Sequence, residues 1–299
     1  MEHIRHFLSM NDFSKQDIMD VIDRAAAMKR GEPGKGPAEP LKGKSVGLLF
    51  DKPSTRTRVS FDVGIQQLGG HAIFLNSRDI QLGRGEPIRD TARVLSRYLD
   101  AIVVRTFGQE IIEEFARWSG IPIINALTDR SHPCQILGDL LTLREVGLDI
   151  MNMKASWVGD GNNVANSWIY AAQKLGFSLV LACPKGYDPV VPIDRDNVRL
   201  TRDPVDAITG AQAISTDVWA SMGQEGETLA RQEAFQGFQL NSEILEHAAK
   251  PYYILHCLPA HRGEEISEEL LESKDSLIWE EAENRLHVQK ALLELLLSR

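Results

Sequence analysis

Residues 45–75 read SVGLLFDKPSTRTRVSFDVGIQQLGGHAIFL. Ser45–Phe50 is a short apolar run of strand length. A polar turn follows, Thr57–Leu68 carries apolar residues at helical spacing, and Gly69-Gly70 closes that helix. His71–Leu75 is a second apolar run. Strand, helix and strand in this order make a β-α-β unit, whose strands run parallel because the helix carries the chain back to the same end of the sheet.

The alternation spreads outward in both directions. Upstream, Ser14 caps a helix to Arg30 in which Ile18, Val21, Ile22, Ala25 and Met28 keep helical spacing, and a Gly/Pro-rich connection runs on to Lys44. Downstream come helix Ile88–Leu99, strand Ala101–Thr106, helix Gln109–Ser119 and strand Ile121–Ala126. Pro133–Val146 reads as a helix with proline in its first turn. A second set follows: strand Ser156–Gly159, helix Asn163–Leu175, strand Ser178–Cys183, then strands at Val198–Thr201, Ala211–Thr216, Tyr252–Cys257 and Ser276–Trp279. Helix Asn284–Leu297 ends the chain's pattern. The expectation is an α/β fold of two doubly wound parallel-sheet domains, residues 1–132 and 133–283, with the active-site cleft between them.

Composition narrows the function. The chain has 299 residues, 43% hydrophobic and 25% charged, which is ordinary globular usage and enough for two cores. The net charge of −9 argues against nucleic-acid binding, which needs a basic surface. No run approaches the roughly 20 apolar residues of a membrane span, and MEHIRHFLSM lacks a signal peptide's apolar core, so neither membrane insertion nor export is expected. Cys134, Cys183 and Cys257 are too few and scattered for a disulfide or zinc framework, and a reducing cytoplasm is the simplest compartment.

Against an acidic background, basic residues clustered at strand ends are informative. Ser54-Thr55-Arg56-Thr57-Arg58 follows a strand and opens a helix. Free backbone N–H groups, three hydroxyls and two guanidiniums there make a phosphate cradle. No Gly-x-x-x-x-Gly-Lys-Ser/Thr is present, so the cradle is not a P-loop. Arg105 ends an apolar strand and points toward a ligand crevice, or is simply a surface arginine. His132-Pro133-Cys134-Gln135 starts a helix, where His132 can donate to an oxygen, the helix end lowers its pKa, Gln135 offers an amide, and Cys134 packs. Asp160-Gly161-Asn162-Asn163 opens another helix and by itself reads as an N-cap. The segment from Asp217 through Ser221 and Met222 to Gly223 joins a carboxylate, a hydroxyl and a glycine turn, suited to an ammonium group or to local caps. His256 to Gly263 carries Cys257 at a strand end, which leaves a Cys-His hydrolase open. Glu283-Asn284-Arg285 opens the last helix with one more arginine.

Phe-x-Lys-Pro-Ser-Thr-Arg-Thr-Arg, His-Pro-Cys-Gln, Ser-Met-Gly and His-Cys-Leu-Pro-Ala-His-Arg-Gly stand here in one order across nearly the whole chain. In this the chain resembles the aspartate/ornithine carbamoyltransferase family, in its ornithine-using branch. The resemblance implies transfer of the carbamoyl group of carbamoyl phosphate to the side-chain amine of L-ornithine, giving L-citrulline and phosphate, with no cofactor and no metal. It implies a homotrimer with active sites at subunit contacts, and a last helix, 284–299, that packs back on the first, carbamoyl phosphate-binding domain; the second domain then binds ornithine. It assigns the phosphate to Ser54, Thr55, Arg56 and Thr57, the carbonyl oxygen to Arg105, His132 and Thr57, and the carbamoyl NH₂ to Gln135 and the carbonyls around Cys257 and Leu258. Arg285 closes on the donor, and Gln81 reaches a neighbouring subunit's phosphate. Asn163 and the Met222 backbone hold ornithine's α-carboxylate, and Asp217 and Ser221 its α-amino group. Cys257 lies beside the reacting amine, and with Asp217 helps deprotonate it. Aspartate as acceptor is disfavoured because the segment Gln81–Glu86 has no lysine; N-acetylornithine and putrescine are disfavoured by the intact Asp217 and Ser221. Relatives carry a longer helical crossover where Pro184, Pro189 and Pro192 interrupt residues 184–197. That change is expected to touch the second domain's flank and not the site.

Overall fold

A computed structural model of the protein describes residues 5–32, 34, 38–76, 85–220 and 225–297. It divides into two compact units, Met1–Leu141 with Glu283–Arg299, and Thr142–Ala282.

The first unit holds α1 (Lys15–Lys29), β1 (Ser45–Phe50), α2 (Thr55–Gln67), β2 (His71–Asn76), α3 (Ile88–Leu95), β3 (Ala101–Arg105), α4 (Gln109–Trp118) and β4 (Ile123–Leu127). α5 (Pro133–Glu145) starts there. The sheet order is β2-β1-β3-β4 and every neighbouring pair is parallel. β3 is buried along its whole length, as an apolar strand covered on both faces must be, whereas the edge strand β2 is partly open to solvent. Leu49, Ile102, Val104, Ile112, Phe115 and Ile123 pack into one core. Each such side chain contributes about 1.5–3 kcal/mol by leaving water. α1 begins as read: Ser14 and Asp17 exchange side-chain-to-backbone hydrogen bonds in a capping box, and Ile18, Val21, Ile22 and Ala25 are buried.

The second unit holds β5 (Lys154–Val158), α6 (Asn163–Leu175), β6 (Ser178–Ala182), β7 (Val198–Thr201), α7 (Pro204–Ile208), β8 (Ala213–Thr216), α8 (Thr228–Ala234), α9 (Ser242–Leu245), β9 (Tyr253–His256) and α10 (Glu268–Leu271). Its sheet order is β7-β6-β5-β8-β9, again all parallel. The short helices α7 to α10 were not legible in the sequence, being one or two turns long and too short to display a period. The fold is thus the expected α/β class with two parallel sheets.

One strand is corrected. Ser276–Trp279 does not form a ladder: Ser276 makes a single bridge to Ile254, and Leu277 N–H donates to the Ile254 carbonyl at 2.9 Å. The chain then turns into α11 (Ile278–Leu297), which starts six residues before the expected Asn284. Ile278, Glu281, Arg285 and Val288 are buried at helical spacing, and Glu280 and Glu281 suit the positive end of a helix.

In each sheet the strand order reverses direction once, between β1 and β3 in the first and between β5 and β8 in the second. Chains leaving adjacent strands there diverge to opposite faces, which opens a crevice beyond the strands' carboxyl ends. The Ser54–Arg58 cluster and Arg105 lie at the first of these points and the Asp160–Asn163 cluster and Asp217 at the second, while His132 and Cys257 follow the neighbouring strands β4 and β9.

Candidate active site

At the first reversal, α2 starts at Thr55 because the Ser54 side chain caps it, accepting from Thr57 N–H at 3.3 Å. The cap sets the turn so that Thr57 is buried while Thr55 and Arg56 face solvent. Arg58, read as the cradle's second guanidinium, does not join it: its guanidinium stacks 3.7 Å from the centroid of the Phe74 ring on β2. The second guanidinium comes instead from the far end of the chain. Arg285 Nη2 donates to Thr57 Oγ1 at 2.9 Å, and Arg285 is only 4% exposed. α11 comes this close because Gly138 on α5 has no side chain; a Cβ there would lie 3.2 Å from Arg285 Cγ.

Arg105 ends β3 at a register shift between Val104 and Arg105 and is buried, while its carbonyl accepts from Asp51 N–H at 2.8 Å. His132 precedes α5 on a loop held from several sides. Thr128 N–H donates to the Ser131 carbonyl at 2.9 Å, and Asn125 Nδ2 donates to Ser131 Oγ at 2.9 Å. Burial, and then the positive charges of Arg285, Arg105 and Arg56, push the His132 imidazole well below its ordinary value. The lowering agrees with the expectation from sequence, but burial and the three arginines cause it. His132 is therefore a neutral imidazole, able to donate one hydrogen bond without adding charge. Gln135 Nε2 donates to Asp139 Oδ1 at 2.9 Å, one helical turn on. Cys134 is packing: burial pushes its thiol up to about 12, and Sγ donates to the Asn125 carbonyl at 3.4 Å.

At the second reversal, Asn162 caps α6 by accepting from Val164 and Ala165 N–H, and Asn163 is the first residue of the helix. The other end of the Asn162 amide donates to Asp217 Oδ2 at 2.7 Å. Asp217 Oδ1 accepts from Cys257 Sγ at 3.1 Å and from Val218 N–H at 2.8 Å. So the turns after β5, β8 and β9 meet at one buried carboxylate. Sequence reading placed Asn162 only as a cap and did not join it to Asp217, 55 residues away. The turn after β9 is equally fixed. His256 Nδ1 accepts from Leu258 N–H at 2.9 Å, its Nε2 bonds Glu265 Oε1 at 2.9 Å, and His256 N–H donates to Glu281 Oε2 at 2.8 Å. Leu258 sits at φ 57, a left-handed conformation that L side chains rarely adopt, and this brings its backbone around at the strand end.

A Cys-His nucleophile needs an imidazole free to take the thiol's proton. Both His256 nitrogens are engaged, and the Cys257 proton points at a carboxylate. The arrangement does not favour that alternative. Gln81, Ser221 and Met222 lie outside the described residues.

The proline-interrupted segment 184–197 does reach this region, against expectation. The Tyr187 carbonyl accepts from Gly161 N–H at 2.9 Å, and a Cβ on Gly161 would lie 2.2 Å from Pro189 N. Without a helix between β6 and β7, the chain of residues 184–191 packs directly under the turn after β5.

A guanidinium- and hydroxyl-rich helix start at one reversal and a carboxylate-centred polar turn at the other mark an α/β protein of the class whose polar groups gather at the sheets' reversals. The chain belongs to the aspartate/ornithine carbamoyltransferase family: the family's carbamoyl-P binding domain matches residues 5–145, and its Asp/Orn binding domain matches residues 151–296. Among relatives, the protein named anabolic ornithine carbamoyltransferase of Pseudomonas aeruginosa is 52% identical, over 98% of this chain and 97% of its own. The ornithine carbamoyltransferase of Pelobacter propionicus is 50% identical over 98% of each chain. The solved ornithine carbamoyltransferase of Pyrococcus furiosus superposes with a TM-score of 0.91 at 44% identity, covering 98% of this chain and 97% of that one.

Proposed function

We propose that this carbamoyltransferase joins carbamoyl phosphate to the side-chain amine of L-ornithine, releasing L-citrulline and phosphate. The observation that carries the reading is the buried Arg285–Thr57 hydrogen bond at the Ser54-capped start of α2, with the positive charges of Arg285, Arg105 and Arg56 acting on the buried His132. Guanidiniums from Arg56 and Arg285 at a helix start suit a phosphate dianion, and a neutral imidazole suits a carbonyl oxygen.

In this reading Ser54, Thr55, Arg56 and Thr57 hold the phosphate, and Arg285 closes on it. Arg105, His132 and Thr57 donate to the carbamoyl oxygen. The Gln135 carbonyl and the backbone carbonyls of Cys257 and Leu258 accept from the carbamoyl NH₂. Asn163 and the Met222 backbone hold the acceptor's α-carboxylate, and Asp217 and Ser221 its α-ammonium. Asn162 keeps Asp217 in place. The neutral side-chain amine adds its lone pair to the carbamoyl carbon. Electron density moves to the carbonyl oxygen, where the donors stabilise it by roughly 3–4 kcal/mol each. The density returns as the C–O bond to phosphate breaks, and the amine proton leaves with the phosphate. The Cys257–Asp217 pair lies beside the incoming amine and helps it lose its first proton.

Three free thiols among the described residues, Cys134, Cys183 and Cys257, fit a reducing compartment, and we place the protein in the cytoplasm. We also propose a homotrimer, with Gln81 reaching a neighbour's phosphate; a solution mass three times the 33.4 kDa of one chain tests it. The decisive experiment offers ornithine, N-acetylornithine, putrescine and aspartate separately with carbamoyl phosphate. Carbamoylation of ornithine well above the others is expected, and preference for another acceptor would overturn the reading.

A further inference from the structure

Arg231, on α8, is a buried guanidinium that no step above uses. Its Nη1 donates to Asp160 Oδ2 at 2.8 Å and to the Trp219 carbonyl at 2.8 Å. Its Nε donates to Glu227 Oε2 at 3.0 Å, and its guanidinium carbon lies 4.9 Å from the Tyr187 ring centroid. Asp160 stands in the turn after β5, two residues before Asn162. Trp219 stands in the turn after β8, two residues past Asp217. One planar cation thus fastens both turns at the sheet's reversal, with Tyr187 of the proline-interrupted segment against its face. Arginine suits the position because one nitrogen can serve a carboxylate and a carbonyl while the rest of the fork serves a second carboxylate.

We infer that Arg231, acting through Asp160 and the Trp219 carbonyl, is a positioning residue for the amino-acid acceptor, holding the Asn162–Asn163 and Asp217 turns in register with each other. The inference rests on the proposed acceptor roles of Asn163 and Asp217. Loss of the tie leaves the Asn162–Asp217 hydrogen bond alone to hold the two turns, so the acceptor site loosens while the phosphate-holding turn Ser54–Thr57 with Arg285, which belongs to the first unit, is unaffected. A purely structural ion pair would instead lower stability without selecting one substrate.

The test uses the full chain with Arg231→Met, Arg231→Lys and Asp160→Asn, each checked for native circular dichroism. The acceptor KM comes from citrulline formation, and carbamoyl phosphate Kd from calorimetry. Expected is a rise in ornithine KM of at least about tenfold in Arg231→Met and a smaller rise in Arg231→Lys, whose single ammonium cannot hold the fork's three partners. Carbamoyl phosphate Kd stays within about twofold, and Arg231→Met/Asp160→Asn is no worse than the more impaired single variant because both substitutions break the same Arg231–Asp160 bond. Should Arg231→Met fail to fold, Arg231→Lys and Asp160→Asn carry the same expectation. An unchanged ornithine KM in the folded variants, or an equal weakening of both substrates, would overturn the inference. Absence of citrulline from the unsubstituted chain would overturn the acceptor assignment and this inference together, and is seen before any substitution is made.

Discussion

Arg285 Nη2 donates to Thr57 Oγ1 over 2.9 Å, so a residue near the end of the chain completes a turn that begins at Ser54. The bond is buried at both ends, with Thr57 1% and Arg285 4% exposed. It supplies the guanidinium that Arg58, committed to Phe74, does not.

Arg285→Leu should therefore weaken carbamoyl phosphate before it weakens the acceptor. A buried charged hydrogen bond of this kind contributes about 1.5–3 kcal/mol, or roughly ten- to a hundredfold in kcat/KM. Steady-state kinetics with ornithine saturating checks it, and an unchanged carbamoyl phosphate KM would count against the closing role.

Arg56→Gly removes the proposed phosphate ligand, an exposed guanidinium next to an unaltered Ser54 cap. Turnover should drop by about a hundredfold or more, while the thermal midpoint moves little. Near-normal turnover in the folded variant would take Arg56 out of the mechanism.

His132 governs an acid-side loss of stability. In the folded chain it stays neutral well below its ordinary value of 6.5, whereas the unfolded chain takes up a proton there. The unfolded state thus binds more protons as pH falls below that value, and stability decreases toward acid. His132→Gln should flatten that decline by up to about 1.4 kcal/mol per pH unit. Urea unfolding across mildly acidic pH measures it; an equally steep decline in the variant would contradict it.

Cys257→Ser keeps a proton donor to Asp217 and removes any thiolate chemistry. Turnover is expected to stay within about tenfold of the unsubstituted chain, with a modest rise in ornithine KM. Complete inactivation, or a mass-spectrometric adduct on Cys257, would favour a covalent route instead.

Gly161→Ala sets a methyl against Pro189 N, 2.2 Å away, and backbone must move to admit it. A destabilisation on the order of 1–3 kcal/mol is expected, with ornithine KM rising more than carbamoyl phosphate KM because Asn162 and Asn163 follow directly. A variant as stable as the parent would show that the 184–191 segment yields easily.

Much of the fold was legible in order because it depends on local pattern. Apolar runs of strand length alternated with helical spacing, and Ser14, Ser54 and Asn162 marked helix starts by chemistry that acts within three residues. Ser276–Trp279 misled because four residues show no period, and the helical spacing that overrides them extends through residues counted as loop. Candidate site residues at strand ends stood out for a related reason: a charge or hydroxyl placed where an apolar strand stops has little packing role to play.

What the sequence by itself determined was therefore the alternation of strands and helices and the chemical character of each turn, since both are set by neighbours a few residues apart. Only the tertiary structure decided which turns share a site. Thr57 with Arg285, Asn162 with Asp217, Asp217 with Cys257, and Arg231 with Asp160 are joined across 228, 55, 40 and 71 residues. Those partnerships follow from strand order and helix packing, which depend on burying the whole apolar surface at once and leave no mark on any local stretch of chain.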